Sequence, residues 1–275
     1  MNNGGIVLKK VQDHYNQSAE MEWNRLRRHK VEFDITCRYL DKYLPDNQKI
    51  LDLGGGPGRY SIWLAEKGHE VTLVDLSEEN VKLAREKAEE RGVKLNKIIQ
   101  GNALELREIV KEEDFDMILN MGPMYHILEE KKRYSVIEQC TEKLKDDGIL
   151  VVAFISAYAP IIDILKKSPE KIIECRERYL NFLEDGKSRL QPGDEGFTDA
   201  YFYHPQKARK FMSEFDLDEL VMAGVEGLVA ATEEEINSLS QEAYNEWLEV
   251  VFETSQDPVT WGTSQHLLYL GRKRS

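Results

Sequence analysis

The sequence predicts an α/β fold built on a mostly parallel sheet. Short apolar runs alternate with segments of helical period, the pattern of strands joined by crossover helices. A glycine-rich turn, Gly54 to Gly58, joins the first apolar run to the next helical segment. An acidic residue, Asp75, closes the second run.

Taken in order, Val11 to Leu44 reads as helix, broken by Pro45-Asp46-Asn47. Lys49 to Leu53 is a strand, and Arg59 to Lys67 a helix closed by Gly68, where a left-handed residue ends a helix cheaply. Glu70 to Leu76 is the second strand, and Ser77 caps the helix Glu78 to Arg91, which Gly92 ends. Lys97 to Gln100 and Phe115 to Asn120 are further strands. Lys131 to Lys145 is a helix, and Ile149 to Ile155, after Gly148, a fifth strand. Beyond it the pattern gives a helix pair over Pro160 to Leu183, interrupted at Ser168-Pro169, and a Gly/Asp-rich loop over Glu184 to Thr198. A helix Pro205 to Phe215, a strand Leu217 to Val225, a helix Glu233 to Thr254 and a strand Gln265 to Gly271 follow.

Composition narrows the function. Thirty-seven basic and 50 acidic residues give a net charge of −13, and the mean hydropathy is −0.53. That balance argues against bulk binding of nucleic acid or anionic membrane, both of which want a basic footprint. The expected setting is a reducing, cytoplasmic one: Cys37, Cys140 and Cys175 are odd in number and far apart, and no amino-terminal signal or membrane span is visible. No metal-ligand cluster is expected.

Asp52-Leu53-Gly54-Gly55-Gly56-Pro57-Gly58 fits D-x-G-x-G-x-G between a strand and a helix. Glycines let the backbone turn tightly and approach a bound molecule, and a carboxylate such as Asp75 can accept from ribose hydroxyls. The dinucleotide fingerprint G-x-G-x-x-G fails, since Arg59 holds its sixth position. The phosphate loop G-x-x-x-x-G-K-[ST] fails as well: Gly186-Lys187-Ser188 starts from Asn181 and follows a charged helix.

From Ile50 to about Ala153 the chain resembles the class I S-adenosylmethionine-dependent methyltransferases. The features are the glycine loop, Asp75, Gly101-Asn102-Ala103 after the third strand, and Phe115-Asp116 opening the fourth. The resemblance implies a Rossmann-like sheet of seven strands in the order 3-2-1-4-5-7-6, the last antiparallel. It implies S-adenosylmethionine as cofactor and S-adenosylhomocysteine as product. Gly54, Gly56 and Gly58, with Asp52 opening the motif, would lie along the methionine part. Asp75 would hold the ribose, Leu76 would pack on adenine, and Asn102, with Ala103 beside it, would read the adenine amino group. Asn120-Met121-Gly122 would lie beneath the sulfonium methyl, and Tyr15 is similar to a lid tyrosine.

Methyl transfer needs an acceptor lone pair in line with the S–CH₃ bond, and a base where the acceptor is protonated. His126 and Tyr125, after the fourth strand, are the candidate catalytic residues, with His126 as the titrating group. Arg25 in the basic run Arg25 to Lys30, and the cluster Tyr201, Tyr203 and His204, are expected in the substrate pocket. Residues 1–46 are read as a helical lid and 47–275 as the methyltransferase domain, with substrate covers at about 156–204 and 226–262. The expected partner is a small-molecule acceptor, with no membrane and a monomer or homodimer. A tRNA wobble-base acceptor is an alternative, because Pro258, Gly262, His266 and Arg272-Lys273 resemble the tRNA carboxymethoxyuridine enzymes at the carboxyl end. A non-catalytic cofactor binder is another.

Overall fold

The computed structural model describes residues 3–189 and 198–275. The part of the expected Glu184 to Thr198 loop from 190 to 197 lies outside the described residues. Seven strands, β1 Lys49–Leu53, β2 Glu70–Asp75, β3 Lys97–Gln100, β4 Phe115–Asn120, β5 Leu144–Ile155, β6 Leu217–Gly224 and β7 His266–Lys273, form one sheet. Its order is β3-β2-β1-β4-β5-β7-β6, as the resemblance implies. The first five strands are parallel, while β7 runs antiparallel between β5 and β6.

The register brings the functional ends together. Leu53 pairs with both Val74 and Asn120, Asp75 with Gln100, Asn120 with Val152, and Ile155 with His266. The glycine loop, Asp75, Met121 and the start of β7 therefore share the carboxyl edge of the sheet, where open α/β sheets bind ligands.

Helices cover both faces. Against one lie α1 (Asn3–Arg28), α2 (Lys30–Tyr43), α3 (Arg59–Glu66), α4 (Glu78–Glu90) and α11 (Gln241–Thr254), burying Trp23, Ile35, Leu64, Ala84 and Val251. The other face holds α5 (Leu106–Ile109), α6 (Glu130–Lys143) and α9 (Pro205–Met212), through Leu106, Ile137 and Phe211. Strands sandwiched this way bury both side-chain rows, which is why they read as continuous apolar runs. Beyond β5, α8 (Ile172–Glu184) rests over the carboxyl edge on a small core containing Phe182 and Phe202, and α7 (Ala159–Lys167) packs against α8. No described helix is long and apolar enough to cross a membrane.

Three elements depart from expectation. The amino-terminal helix is two helices, because His29 leaves helical geometry at φ −96°, ψ 60°. Glu233 holds that break: its carboxylate accepts from Val31 N at 3.2 Å and meets His29 Nδ1 at 3.0 Å. The expected Glu233 to Thr254 helix is likewise α10 (Glu233–Asn237) and α11, separated where Ser240 caps α11 by accepting from Ala243 N. Strand β5 starts at Leu144 rather than Ile149, through an irregular pairing opposite Phe115/Met117.

Candidate active site

The glycine loop is fastened to β2 before it turns. Gly54 N and Gly55 N donate to Val74 O at 2.7 and 3.2 Å, and Gly56 N donates to Asp75 Oδ2 at 2.8 Å. Gly54 and Gly56 have φ of 73° and 57°, values that tax any side chain. A Cβ on Gly54 would lie 2.5 Å from Pro123 Cδ, whereas one on Gly56 would find only Asn80 Nδ2, at 3.9 Å. Two further glycines matter equally: Gly55, to which the sequence reading gave no role, and Gly122. A Cβ on Gly55 would sit 2.6 Å from Asp52 Oδ2, and one on Gly122 would sit 2.7 Å from Gly54 O.

These backbones floor a cavity of about 150 Å³, lined by Tyr15, Asp52, Gly54, Gly56, Asp75, Leu76, Asn102, Ala103, Met121, Tyr125 and His126 among others. Asp75 Oδ1 accepts from Ser77 N (2.9 Å) and Asn80 Nδ2 (3.1 Å), and Oδ2 from Gly56 N. A carboxylate offers about four lone-pair sites, so roughly one remains for a ligand hydroxyl. Burial pushes the Asp75 carboxyl upward, and the Ser77, Asn80 and Gly56 donors oppose it. Asp52, buried deeper, is raised by burial to about 6 even though Ser61 donates to it, the hydroxyl at 2.7 Å.

Helix α1 closes the cavity. Gln12 Nε2 donates to Leu76 O (3.2 Å), and Ser77 Oγ donates to Asn16 Oδ1 (2.7 Å). Tyr15 OH meets His126 Nε2 at 2.7 Å, and His126 Nδ1 meets Thr198 Oγ1 at 2.9 Å. The Thr198 hydroxyl donates to Asp199 O, so it accepts from Nδ1–H, and Nε2 accepts the Tyr15 proton. Burial drives His126 down to about 3. The residue expected as the titrating base is thus bonded to Tyr15 of α1, and burial disfavours its charged form. Tyr125 is pushed up by burial and stays a phenol.

A second cavity of about 740 Å³ opens on the far side of Tyr15, Glu22, Arg25 and Tyr125, which line both. Its roof comes from α7, α8 and the segment leading into α10. At its base Arg25 makes a bidentate pair with Glu32 (2.7 and 2.9 Å). Glu32 is thereby held at about 2: burial alone would raise it, but Arg25 and His266 prevail. His266 Nδ1 lies 2.5 Å from Glu226 Oε1, and Glu226 Oε2 accepts from Ser264 Oγ and the amides of Gln265 and His266. Glu32, Glu226 and His266 bring O and N atoms within 4.8 Å of one another, and Arg25, Ser264 and those amides engage them.

A methyltransferase domain model matches residues 44–214. The chain belongs to the class I S-adenosylmethionine-dependent methyltransferases. Among curated relatives, tRNA 5-carboxymethoxyuridine methyltransferase of Escherichia coli (strain K12) is 31% identical over 122 residues, covering 44% of this chain and 45% of that enzyme. A ubiquinone biosynthesis O-methyltransferase of Actinobacillus pleuropneumoniae is 31% identical over 160 residues, 52% of this chain and 67% of its own. The chain spans about half the length of the first curated relatives it matches. A solved SAM-dependent methyltransferase of Methanosarcina mazei shares the fold at a TM-score of 0.57 and 19% identity, covering 86% of this chain and 97% of that one.

The residues present fit the methyltransferase cofactor. Gly56 leaves open the space a side chain would fill, and Asp75 keeps a lone-pair site at the end of β2. Asn102 Oδ1 caps Leu104 N at 3.1 Å and retains a second lone pair for a donor. Two expected cofactor residues do not reach the cavity. A Cβ on Gly58 would meet Leu73, Ala84 and Ile62, so this glycine lets α3 pack on β2 and α4. Asn120 is fully buried at the end of β4 with neither amide atom partnered.

In the methyltransferase's larger cavity only Arg25 of the expected substrate residues takes a place. Tyr201 lies against the Arg133 guanidinium at 3.8 Å and meets Tyr203 edge-to-face at 4.6 Å. Tyr203 is buried against Phe154, and Arg133 donates to Ile127 O and Leu128 O. This cluster therefore braces the loop after His126. His204 caps α9 by accepting from Gln206 N and meets Tyr158 OH, both at 3.3 Å. These aromatics are core packing, because the strand pair Lys187–Ser188 and Ala200–Tyr201 turns them inward.

Proposed function

We propose that this methyltransferase moves a methyl group onto a small molecule held in the 740 Å³ cavity. The wall shared by the two cavities carries this reading: Tyr125 and Arg25 face both, so an acceptor on one side meets the cofactor's reactive end on the other. A recess of this size, roofed by inserted helices, suits a ligand of a few hundred Å³ rather than a polynucleotide strand. Three free cysteines, two of them buried, fit a cytoplasmic enzyme.

S-adenosylmethionine, when bound, supplies an electrophilic methyl carbon whose bonding pair stays with sulfur. The chain's own part is orientation and exclusion of water. Asp75 and the glycine loop hold the nucleoside and amino-acid ends, Asn102 and Leu76 the base, while Tyr15 and Tyr125 shield the junction. Asp75→Ala should weaken S-adenosylhomocysteine binding by about 1–3 kcal/mol in isothermal titration, and unchanged affinity would remove Asp75 from the site. Label from methyl-labelled S-adenosylmethionine should enter the small-molecule fraction of a cell extract. Incorporation confined to RNA would overturn the acceptor class.

The tRNA reading rests on the curated tRNA relative and on the carboxyl-terminal likeness. The net charge of −13 opposes it, since phosphate contacts dominate RNA affinity.

A further inference from the structure

His266 stands where an acceptor would lie, and no role above uses it. It lines the large cavity, with its side chain 19% exposed. Glu226, fully buried, engages its Nδ1, and Nε2, on the opposite side of the ring, makes no hydrogen bond among the described residues. This is the geometry of a carboxylate-oriented imidazole, in which the distal nitrogen receives a proton and the carboxylate steadies the resulting cation. Beside it, Gln265 lines the same cavity and its buried Oε1 has no partner, an acceptor waiting for a donor.

The groups facing the ring from each packed element are Glu226 after β6, Glu32 on α2, Arg25 on α1 and His29 between α1 and α2, with ring centroids 6.5 Å apart for the last. Burial pulls the imidazole down, but Glu32 and Glu226 outweigh it and raise its basicity. Such a base is wasted on a carboxylate, which arrives ionised, and is too weak for an alkyl alcohol. A phenol, near pKa 10, is the hydroxyl it can help to ionise. The walls agree, with Tyr125, Tyr179, Phe182 and Phe202 offering aromatic faces.

Building on the small-molecule reading, we propose that the acceptor is a phenol and that His266, positioned by Glu226, is the catalytic base that removes its proton. The phenol O–H bond breaks and the proton goes to Nε2; the freed oxygen pair takes the methyl carbon as the carbon–sulfur bond breaks, its pair staying on the departing thioether.

The test uses 4-nitrophenol with enzyme saturated by S-adenosylhomocysteine, reading the phenolate absorbance against pH and, separately, calorimetric S-adenosylhomocysteine affinity. On binding to wild type the phenolate midpoint should fall by about one unit, a roughly tenfold enrichment of phenolate below that midpoint, because the imidazolium that has taken the proton holds the anion beside it. His266→Gln should lose that enrichment while keeping cofactor affinity, and Glu226→Gln should shift the phenolate midpoint upward. With S-adenosylmethionine, label should pass to the phenol oxygen in wild type only. Cofactor affinity without phenolate enrichment in wild type, or enrichment retained in His266→Gln, overturns the proposal. Loss of S-adenosylhomocysteine binding in wild type would instead overturn the methyltransferase site on which it rests.

Discussion

Asp52, buried, and His126, half-buried, both line the cofactor cavity and have their chemistry set by what surrounds them. The Asp52 carboxyl, raised to about 6, keeps its proton more tightly folded than unfolded. Its contribution to stability is therefore full below about pH 4 and lost as pH climbs through 6. Asp52→Asn is expected to gain about 1–3 kcal/mol over wild type above pH 6 and nothing near pH 4, read by urea denaturation at both. His126 matters through Tyr15: Tyr15→Phe removes the 2.7 Å bond to Nε2 and should speed S-adenosylhomocysteine release by about 2- to 10-fold in stopped flow. An unchanged off-rate would mean that α1 is held elsewhere. The sequence shows glycines and acids in the right order, yet not which glycine faces a ligand. Gly56 and Gly58 are equivalent in the motif, and only the packing of Leu73 and Ala84 separates them.

At the scale of elements, the helices that were legible carry their own punctuation. Ser77 caps α4 by accepting from Asn80 N, and Gly68 and Gly92 end helices at positive φ. The break between α1 and α2 has no such local sign, because its cap, Glu233, comes from a distant part of the chain. Glu233→Ala would leave Val31 N buried without an acceptor and should cost about 1–3 kcal/mol, visible as a lowered denaturation midpoint. Glu233→Gln, which keeps an acceptor, should recover part of that loss. The Glu32, Glu226 and His266 cluster was hidden for the same reason. Its members lie on α2, after β6 and on β7, and only the antiparallel seating of β7 beside β5 unites them.

For the whole molecule, charge supplies the discriminating experiment. A chain of net charge −13, with its Arg25 committed to Glu32, should show no salt-sensitive tRNA association in filter binding. A steep salt slope would revive the wobble-base reading. The fold and the cofactor end were readable because each rests on a run of contiguous residues. The acceptor side was not, since it is assembled from segments that the sheet order folds back over its own edge.

Helix α1 contributes Tyr15, Glu22 and Arg25 to the partition between the two chambers. If that helix swings out to exchange the spent nucleoside, the acceptor chamber loses a wall in the same movement. Loading and emptying of the two ligands are then coupled by one moving part, and steady-state kinetics should be of the sequential kind, with neither ligand turning over in isolation from the other.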